Sequence, residues 1–138
     1  RPATDYHAKF SFPFTIAVTL SFGRLGVEAF SHENIHDPAI LALTDKIMHQ
    51  VDPTASDPSR FKGWVQVLTT DGRKLERIVT DNWGSESNPM TPEQVRKKFR
   101  DNALLVLSDT AVDTLLEQVE NFAALDDVSQ IITQCIKL

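Results

Sequence analysis

Residues 5–25, DYHAKFSFPFTIAVTLSFGRL, constrain the fold more than any other segment of the chain. Their apolar positions recur at intervals of three and four, in a helical pattern with two stripes: one through Phe10, Phe14, Ala17, Val18 and Ser21, the other through Phe12, Ile16 and Leu20. A helix with this pattern is predicted to be buried on two faces. Pro13 costs least in a first helical turn, which places the helix start near Ser11 or Phe12. Gly23 suits a C-cap and ends the helix.

A second helix and a β-hairpin are predicted downstream. Asp37 is the expected N-cap of this helix and Pro38 its first residue, and its apolar face is formed by Ile40, Leu41, Leu43, Thr44 and Ile47. After an expected exposed loop over residues 51–59, the hydrophobic period changes to two, and residues 63–70 and 73–80 are predicted strands. Asp71-Gly72 between them favours a tight type I′ turn. Residues 48–51 are a candidate third strand, because a two-stranded hairpin is marginally stable in water.

Three helices are predicted after a glycine, serine and proline loop at residues 83–90. Thr91 is the expected N-cap of the first, followed by Pro92 and Gln94, and this helix should continue to about Val106. Ser108 or Asp109 is expected to cap the second, which turns these residues inward: Val112, Leu115, Leu116, Val119 and Phe122. Asp126 is expected to cap the third, in which the lone Cys135 is a small core residue. The predicted fold class is therefore α+β.

Composition and charge exclude several classes of function. Of the 138 residues 41% are hydrophobic and 24% are charged, as in ordinary globular proteins. No apolar run approaches the roughly 18 residues that span a bilayer, and no basic leader precedes residues 10–22, so we expect neither a membrane partner nor a signal peptide but a cytoplasmic protein. The formal net charge is −5, so nucleic acid is not an expected partner. The sequence begins at Arg1, and we expect it to be a fragment of a longer protein.

The motif His32-Glu33-x-x-His36 matches H-E-x-x-H, in which two histidines hold zinc and the glutamate acts as a general base. That mechanism requires a helix, but Pro38 disfavours helical geometry at the preceding residue, so we expect His36 to precede a helix and not to lie within one. Ala42 stands where a metzincin would carry its third ligand, and the alternative ligands Glu76 and Glu86 fall in the predicted hairpin or the loop after it. We therefore expect no metal site, and a zinc metalloprotease is the weakest of three functional hypotheses.

Three blocks of sequence carry a family resemblance: residues 8–14 with the apolar helix and the following segment 22–25; Asp37-Pro38 with its Leu-Ala-Leu helix and the hairpin turn at residues 71–73; and residues 88–100. Together they resemble the C-terminal portion of the MmgE/PrpD family of 2-methylcitrate dehydratase and cis-aconitate decarboxylase. The resemblance implies a cytoplasmic lyase or isomerase acting on small tri- or dicarboxylates, with 2-methylcitrate dehydratase-like chemistry and no organic cofactor.

The resemblance also implies a domain organisation. Family members have a large helical domain and a smaller α+β lid, with the active site between them. Residues 1–88 would be the lid, a small sheet containing the hairpin with two helices, and residues 89–138 would be C-terminal helices that return to the helical domain. The implied partners are a small carboxylate substrate, the upstream helical domain and, in a homodimer, a second copy.

One active-site position of the family falls inside this chain: the tyrosine that follows the A-[KR]-F-S-x-[PQ] stretch. Phe14 occupies it, so the hydroxyl donor of the family is missing here. His7 and Lys9 flank the same helix start and are the expected substrate-binding residues, because cations there suit carboxylates. The alternatives are an ordinary core aromatic for Phe14 and solvated surface residues for the other two.

The resemblance implies that most of the family's substrate-contacting residues belong to the part upstream of this sequence. We therefore expect no activity from this chain alone, and a non-enzymatic interaction domain is the principal alternative function.

Overall fold

The computed structural model describes residues 1–53 and 62–135. The chain divides into two compact units, Arg1–Asp52 and Pro53–Leu138. Their elements are α1 (Asp5–Lys9), α2 (Phe12–Phe22), a 3-10 turn (Val27–Phe30), α3 (His32–His36), α4 (Pro38–Thr44), β1 (Gly63–Leu68), β2 (Lys74–Val79), α5 (Pro92–Ala103), α6 (Asp109–Glu120), a second 3-10 turn (Phe122–Ala124) and α7 (Ser129–Cys135). The predicted α+β class is confirmed, with a hairpin followed by C-terminal helices. The predicted functional boundary near residue 88 stays a prediction.

Helix α2 has the predicted ends. The Ser11 hydroxyl accepts a hydrogen bond from the Phe14 N–H at 3.4 Å. Gly23 ends the helix in the left-handed region, with φ of 72°, and its N–H donates to the Thr19 carbonyl. Both ends were predictable because each depends on residues within four positions of the cap.

Only one face of α2 is buried. Phe14, Ala17 and Val18 are fully enclosed, whereas Phe12 is 70% exposed and Leu20 is 55% exposed. The predicted burial of both faces is therefore wrong in this unit, because its other helices pack against one side of α2 only. Helix α2 consequently presents a row of uncovered apolar side chains to solvent.

The core of the first unit is small, and its hydrophobic cluster is surrounded by few other buried residues, among them the polar Thr44. The cluster is built from Ala8, Phe14, Ala17, Val18, Ala29, Ile35 and Ile40. Helix α4 packs against α2 and begins as predicted, with the Asp37 carboxylate accepting hydrogen bonds from the N–H groups of Ala39 and Ile40. Helix α1, capped by Thr4, was not predicted from the sequence, and a single residue of it, Ala8, is buried. None of the helices in residues 1–53 and 62–135 is long and apolar enough to cross a membrane.

Strands β1 and β2 form the predicted antiparallel hairpin, but the turn differs from the prediction. A type I′ turn needs positive φ at both central residues, and Asp71 lacks it while Gly72 has φ of 84°. The Gly72 N–H donates to the Thr69 carbonyl at 3.0 Å, and the Thr69 N–H donates to the Arg73 carbonyl at 2.9 Å. This pattern is a type I turn followed by a glycine bulge, which uses three loop residues instead of two.

The predicted third strand at residues 48–51 is wrong, since these residues adopt no strand conformation. They lie beyond the end of α4, and the sheet of the described residues consists of β1 and β2. The predicted loop over residues 51–59 lies mostly outside the described residues.

Two of the three C-terminal helices start as predicted. Thr91 and Gln94 form a reciprocal capping box at α5, and Ser108 caps α6. Helix α5 ends at Ala103, earlier than predicted. At α7 the prediction was wrong by one residue, because the carboxylate of Asp127, not that of Asp126, accepts hydrogen bonds from the Ser129 N–H and hydroxyl.

The second unit buries little apolar surface within the described residues. Val112 and Leu115 of α6 are buried, but Val119 and Phe122, predicted to face inward, are more than half exposed, and Cys135 is exposed instead of lying in a core. Ion pairs join α5 to α6: Arg96 with Glu120, and Arg100 with Asp109 and Asp113. Exposed pairs of this kind contribute at most about 1 kcal/mol each, so they do not replace a core.

Substitutions on the buried and on the exposed face of α2 should differ in their effect on stability. Phe14→Ala is expected to lower the free energy of unfolding by about 3–5 kcal/mol, because the ring is fully enclosed. The matched control is Phe12→Ala on the same helix, where the exposed ring should cost less than about 0.5 kcal/mol. Urea unfolding followed by far-ultraviolet circular dichroism measures both. Equal losses for the two variants would contradict the one-sided core.

The hairpin should respond to acid through Asp71. The Thr69 hydroxyl, and then the Arg73 guanidinium, donate to its carboxylate and hold its pKa below the usual value. Because the folded pKa is the lower one, the carboxylate stabilises the hairpin above the unfolded pKa of about 3.9 and stops doing so as pH falls through the folded pKa.

Asp71→Asn is expected to abolish this acid dependence. The measurement is the NMR chemical shift of the Gly72 amide as pH is lowered from 6 through the folded pKa of Asp71. Asp126→Asn, on a different element, should leave it unchanged. An identical acid response in wild type and Asp71→Asn would show that this carboxylate does not stabilise the turn.

Candidate functional site

The structure separates Phe14 from the two basic candidates. Phe14 on α2 is fully buried, and its ring centroid lies 6.4 Å from that of Phe30. His7 and Lys9 lie on α1 and are exposed, and His7 Nδ1 accepts a hydrogen bond from the Ala3 N–H at 3.3 Å. In this structure Phe14 packs in the core. Substrate contact by any of the three residues stays a prediction.

The start of α2 offers few backbone donors to an anion. The Phe14 N–H is taken by the Ser11 hydroxyl, and Pro13 has no N–H to donate. The Thr15 N–H donates to the Ser11 carbonyl at 2.9 Å. A carboxylate at this end of the helix would therefore depend on cationic side chains more than on the helix itself.

An open cleft of about 480 Å³ lies beside the start of α2. Its polar lining is Arg1, Ser11, Thr44, Asp45, His49 and Gln50. Packing of α2 against α4 brings these residues together, since Ser11 precedes one helix and Asp45 follows the other. The buried Thr44 hydroxyl donates to the Ile40 carbonyl at 2.9 Å, so it is already engaged within α4. His7, Lys9 and Phe14 do not line the cleft.

An ion pair occupies the mouth of this cleft. Arg1 Nε and Nη2 donate to the two carboxylate oxygens of Asp45 at 3.1 and 2.6 Å. This hydrogen-bonded contact lowers the pKa of Asp45 and raises that of Arg1. A carboxylate ligand would have to compete with Asp45 for the guanidinium. The Arg1 guanidinium of the cleft is thus already paired with a carboxylate of the chain.

Sequence reasoning did not find Arg1, Asp45 or His49 as a group. Each is an ordinary polar residue in its own segment, and no spacing connects them. Their proximity results from tertiary packing of α2 on α4, and a local pattern carries no signal for that. A family alignment of active-site positions would be needed to detect such a set.

The H-E-x-x-H motif lies on a helix, contrary to the prediction. Helix α3 is five residues long, is capped by Ser31 and ends at His36, with Asp37 alone separating it from α4. Asp37 adopts the extended conformation that the following proline requires, and His36 before it stays helical. The rings of His32 and His36 lie against each other in a tilted arrangement, with centroids 4.4 Å apart.

Zinc chemistry nevertheless lacks a complete ligand set in the described residues. No group of three or more histidine, cysteine, aspartate or glutamate side chains converges in residues 1–53 and 62–135. His36 Nδ1 lies 2.8 Å from the His32 carbonyl, an acceptor, so this nitrogen carries the proton. The pair offers two ligands where a structural zinc site has four and a catalytic site three plus water.

Zinc retention is the measurement that tests the metalloprotease hypothesis. One equivalent of zinc added to the chain is expected to be lost on gel filtration, because two exposed imidazoles hold it weakly. Elemental analysis of wild type beside a His32→Ala/His36→Ala double variant should give the same low zinc content. Stoichiometric zinc in wild type that is lost in the double variant would support the metalloprotease hypothesis.

Comparison with known proteins places this chain beside one enzyme family. The family model of the MmgE/PrpD C-terminal domain matches residues 1–124. Cis-aconitate decarboxylase of Mus musculus is 26% identical over 138 residues, which is 99% of this chain and 28% of that protein. Cis-aconitate decarboxylase of Homo sapiens is 27% identical over 134 residues, which is 96% of this chain and 28% of that protein. The chain thus spans less than a third of the length of these curated relatives.

Proposed function

The chain belongs to the MmgE/PrpD family, and on that premise we propose that it is the C-terminal lid portion of a lyase or isomerase acting on small tri- or dicarboxylates. The observation that carries the proposal is the match of the family's C-terminal domain to residues 1–124 in a chain that spans 28% of its relatives. A cytoplasmic location and a homodimeric enzyme are part of the proposal, on the same family basis.

The reaction is proposed within the lyase class. The sequence resemblance implies a dehydration reaction, in which a base takes a proton alpha to a carboxylate while an acid assists departure of hydroxide. The names of the two relatives favour decarboxylation, in which a carbon–carbon bond breaks, carbon dioxide leaves and the carbon takes up a proton. Both reactions need cations that hold the substrate's carboxylates and a group that moves a proton.

We propose that the described residues supply part of such a site. His7 and Lys9 are exposed substrate-binding candidates on α1, and the Arg1 guanidinium in the cleft is already bound to Asp45. Phe14 has no hydroxyl to donate. We therefore propose that the proton-transfer groups lie in the remainder of the enzyme and that this chain closes one side of the site.

Exposed apolar side chains support assignment to a larger enzyme over a self-sufficient interaction domain. In the first unit the exposed rings of Tyr6 and Phe10 contact each other in a tilted arrangement with centroids 5.1 Å apart, and Phe12 and Leu20 lie uncovered on α2. In the second unit Trp64 is among the exposed hairpin residues. Exposed apolar side chains of this size are typical of surfaces that meet another part of a protein, so further parts of the enzyme are proposed to cover them.

Complementation tests the proposed function. The chain is added to mouse cis-aconitate decarboxylase from which the matched segment has been deleted, and turnover of cis-aconitate is followed. We expect activity from the mixture and none from either part alone, because the site is divided between them. Activity of the isolated chain, or an inactive mixture of folded parts, would contradict the proposal.

Variants in the same assay test His7 and Lys9. His7→Ala and Lys9→Ala should each raise KM about 10–100-fold, the equivalent of one charge-assisted hydrogen bond to a carboxylate. Lys46→Ala removes an exposed positive charge from the same unit and is the control. Identical KM values for all three variants would remove His7 and Lys9 from the site.

A further inference from the structure

We propose that the outer edge of β1 accepts a β-strand from the part of the family enzyme that lies outside these 138 residues. The inference rests on the proposed function, because it takes this chain to be one portion of a longer enzyme. It assigns a strand-pairing surface to the β1 edge, defined as the outward backbone N–H and C=O groups of Trp64, Gln66 and Leu68.

The sheet is incomplete as it stands. Along β1 and β2 every side chain is exposed except that of Val67, which is half-buried. A hairpin needs a third strand or a packed face to be stable in water. Within residues 1–53 and 62–135, β1 pairs with β2 alone, and residues 48–51 do not supply the third strand. The sheet therefore has a place for a strand from elsewhere.

The hydrogen-bond pattern of the hairpin shows which backbone groups face outward. The Thr69 N–H donates to the Arg73 carbonyl across the hairpin, so hydrogen-bonded and non-hydrogen-bonded pairs alternate along β1 from that point. The non-hydrogen-bonded pairs are Leu68 with Lys74, Gln66 with Glu76, and Trp64 with Ile78. In such pairs the N–H and C=O groups point away from the partner strand. The β1 edge thus presents alternating donors and acceptors spaced for another strand.

Charge distinguishes this edge from that of β2. Strand β2 carries Lys74, Glu76 and Arg77, whereas β1, with the sequence GWVQVL, contains neither a charged residue nor a proline. Charged side chains, lysine above all, protect edge strands against pairing. Tryptophan and valine favour strand conformation. The β1 edge is therefore the unprotected one.

The extent of exposed apolar surface favours the rest of the enzyme over a second copy as the occupant. Pairing of β1 with β1 of another copy would cover one edge and leave Phe12 and Leu20 of the first unit exposed. The relatives match nearly all of this chain, which spans 28% of their length. A remainder of that size can supply a strand to β1 and also cover the first unit.

Hydrogen exchange of the ¹⁵N-labelled chain tests the inference, alone and mixed with the truncated mouse enzyme of the complementation assay. On mixing, the amides of Trp64, Gln66 and Leu68 should exchange about 100-fold more slowly, as expected for newly paired backbone groups. The outward amides of β2, those of Lys74, Glu76 and Ile78, should be unchanged. The inference is decided by exchange at these amides in the wild-type chain: no slowing at Trp64, Gln66 and Leu68 on mixing would contradict it.

A matched pair of proline variants locates the edge. Gln66 and Glu76 lie opposite each other, and each N–H points outward from its own strand, so proline at either position removes no bond within the hairpin. Gln66→Pro should abolish the protection of Trp64 and Leu68, and Glu76→Pro should leave it intact. Equal effects of the two variants would contradict the choice of edge.

The outcomes separate this inference from the proposed function. Restored turnover with unprotected β1 amides would overturn the strand-pairing inference and support the proposed function. Protected β1 amides without turnover would support the inference and overturn the proposed function. Protection in the chain alone that rises with concentration assigns the edge to a second copy, and protection at all concentrations assigns it to the chain itself. Either result overturns the inference, and the absence of both protection and turnover overturns both proposals.

Discussion

Burial of Phe14, Ala17 and Val18 on one face of α2 is the interaction on which the first unit depends. These three side chains meet α4 and the segments around it, and the other core residues gather about them. The sequence of α2 is apolar around most of its circumference, yet the unit covers only one side. Exposed phenylalanine and leucine side chains favour association with other apolar surfaces, so we infer that another part of the protein covers the second stripe.

Features that depend on a few neighbouring residues were predictable from sequence. The caps at Ser11 and Gly23, Asp37-Pro38 at α4, and the Thr91–Gln94 box each satisfy orphan helix-end groups within one turn. The hairpin followed from the change to period two. Each of these depends on local hydrogen bonding and backbone preference, and both can be inferred from the identities of neighbouring residues.

Features that depend on tertiary packing were missed or wrong. The two stripes on α2 indicate two contacts, but sequence alone does not say whether both partners are in the chain. At the hairpin, Asp-Gly suits both a two-residue type I′ turn and a three-residue loop with a glycine bulge, and the hydrogen bonds of Thr69 decided between them. The cleft around Arg1 and Asp45 arises only when α2 and α4 meet, so no local pattern indicated it.

Exposed apolar surface connects the fold of this chain with its proposed function. A chain that matches the MmgE/PrpD C-terminal domain, leaves apolar surface open on both units and has an unprotected β1 edge is well suited to be one side of a larger enzyme. The most direct measurement is binding of the fluorescent dye ANS to the chain, before and after addition of the truncated mouse enzyme. The account predicts strong dye fluorescence from the chain alone and its loss on mixing. A monodisperse chain that binds no dye would contradict it, because its apolar surface would then already be covered.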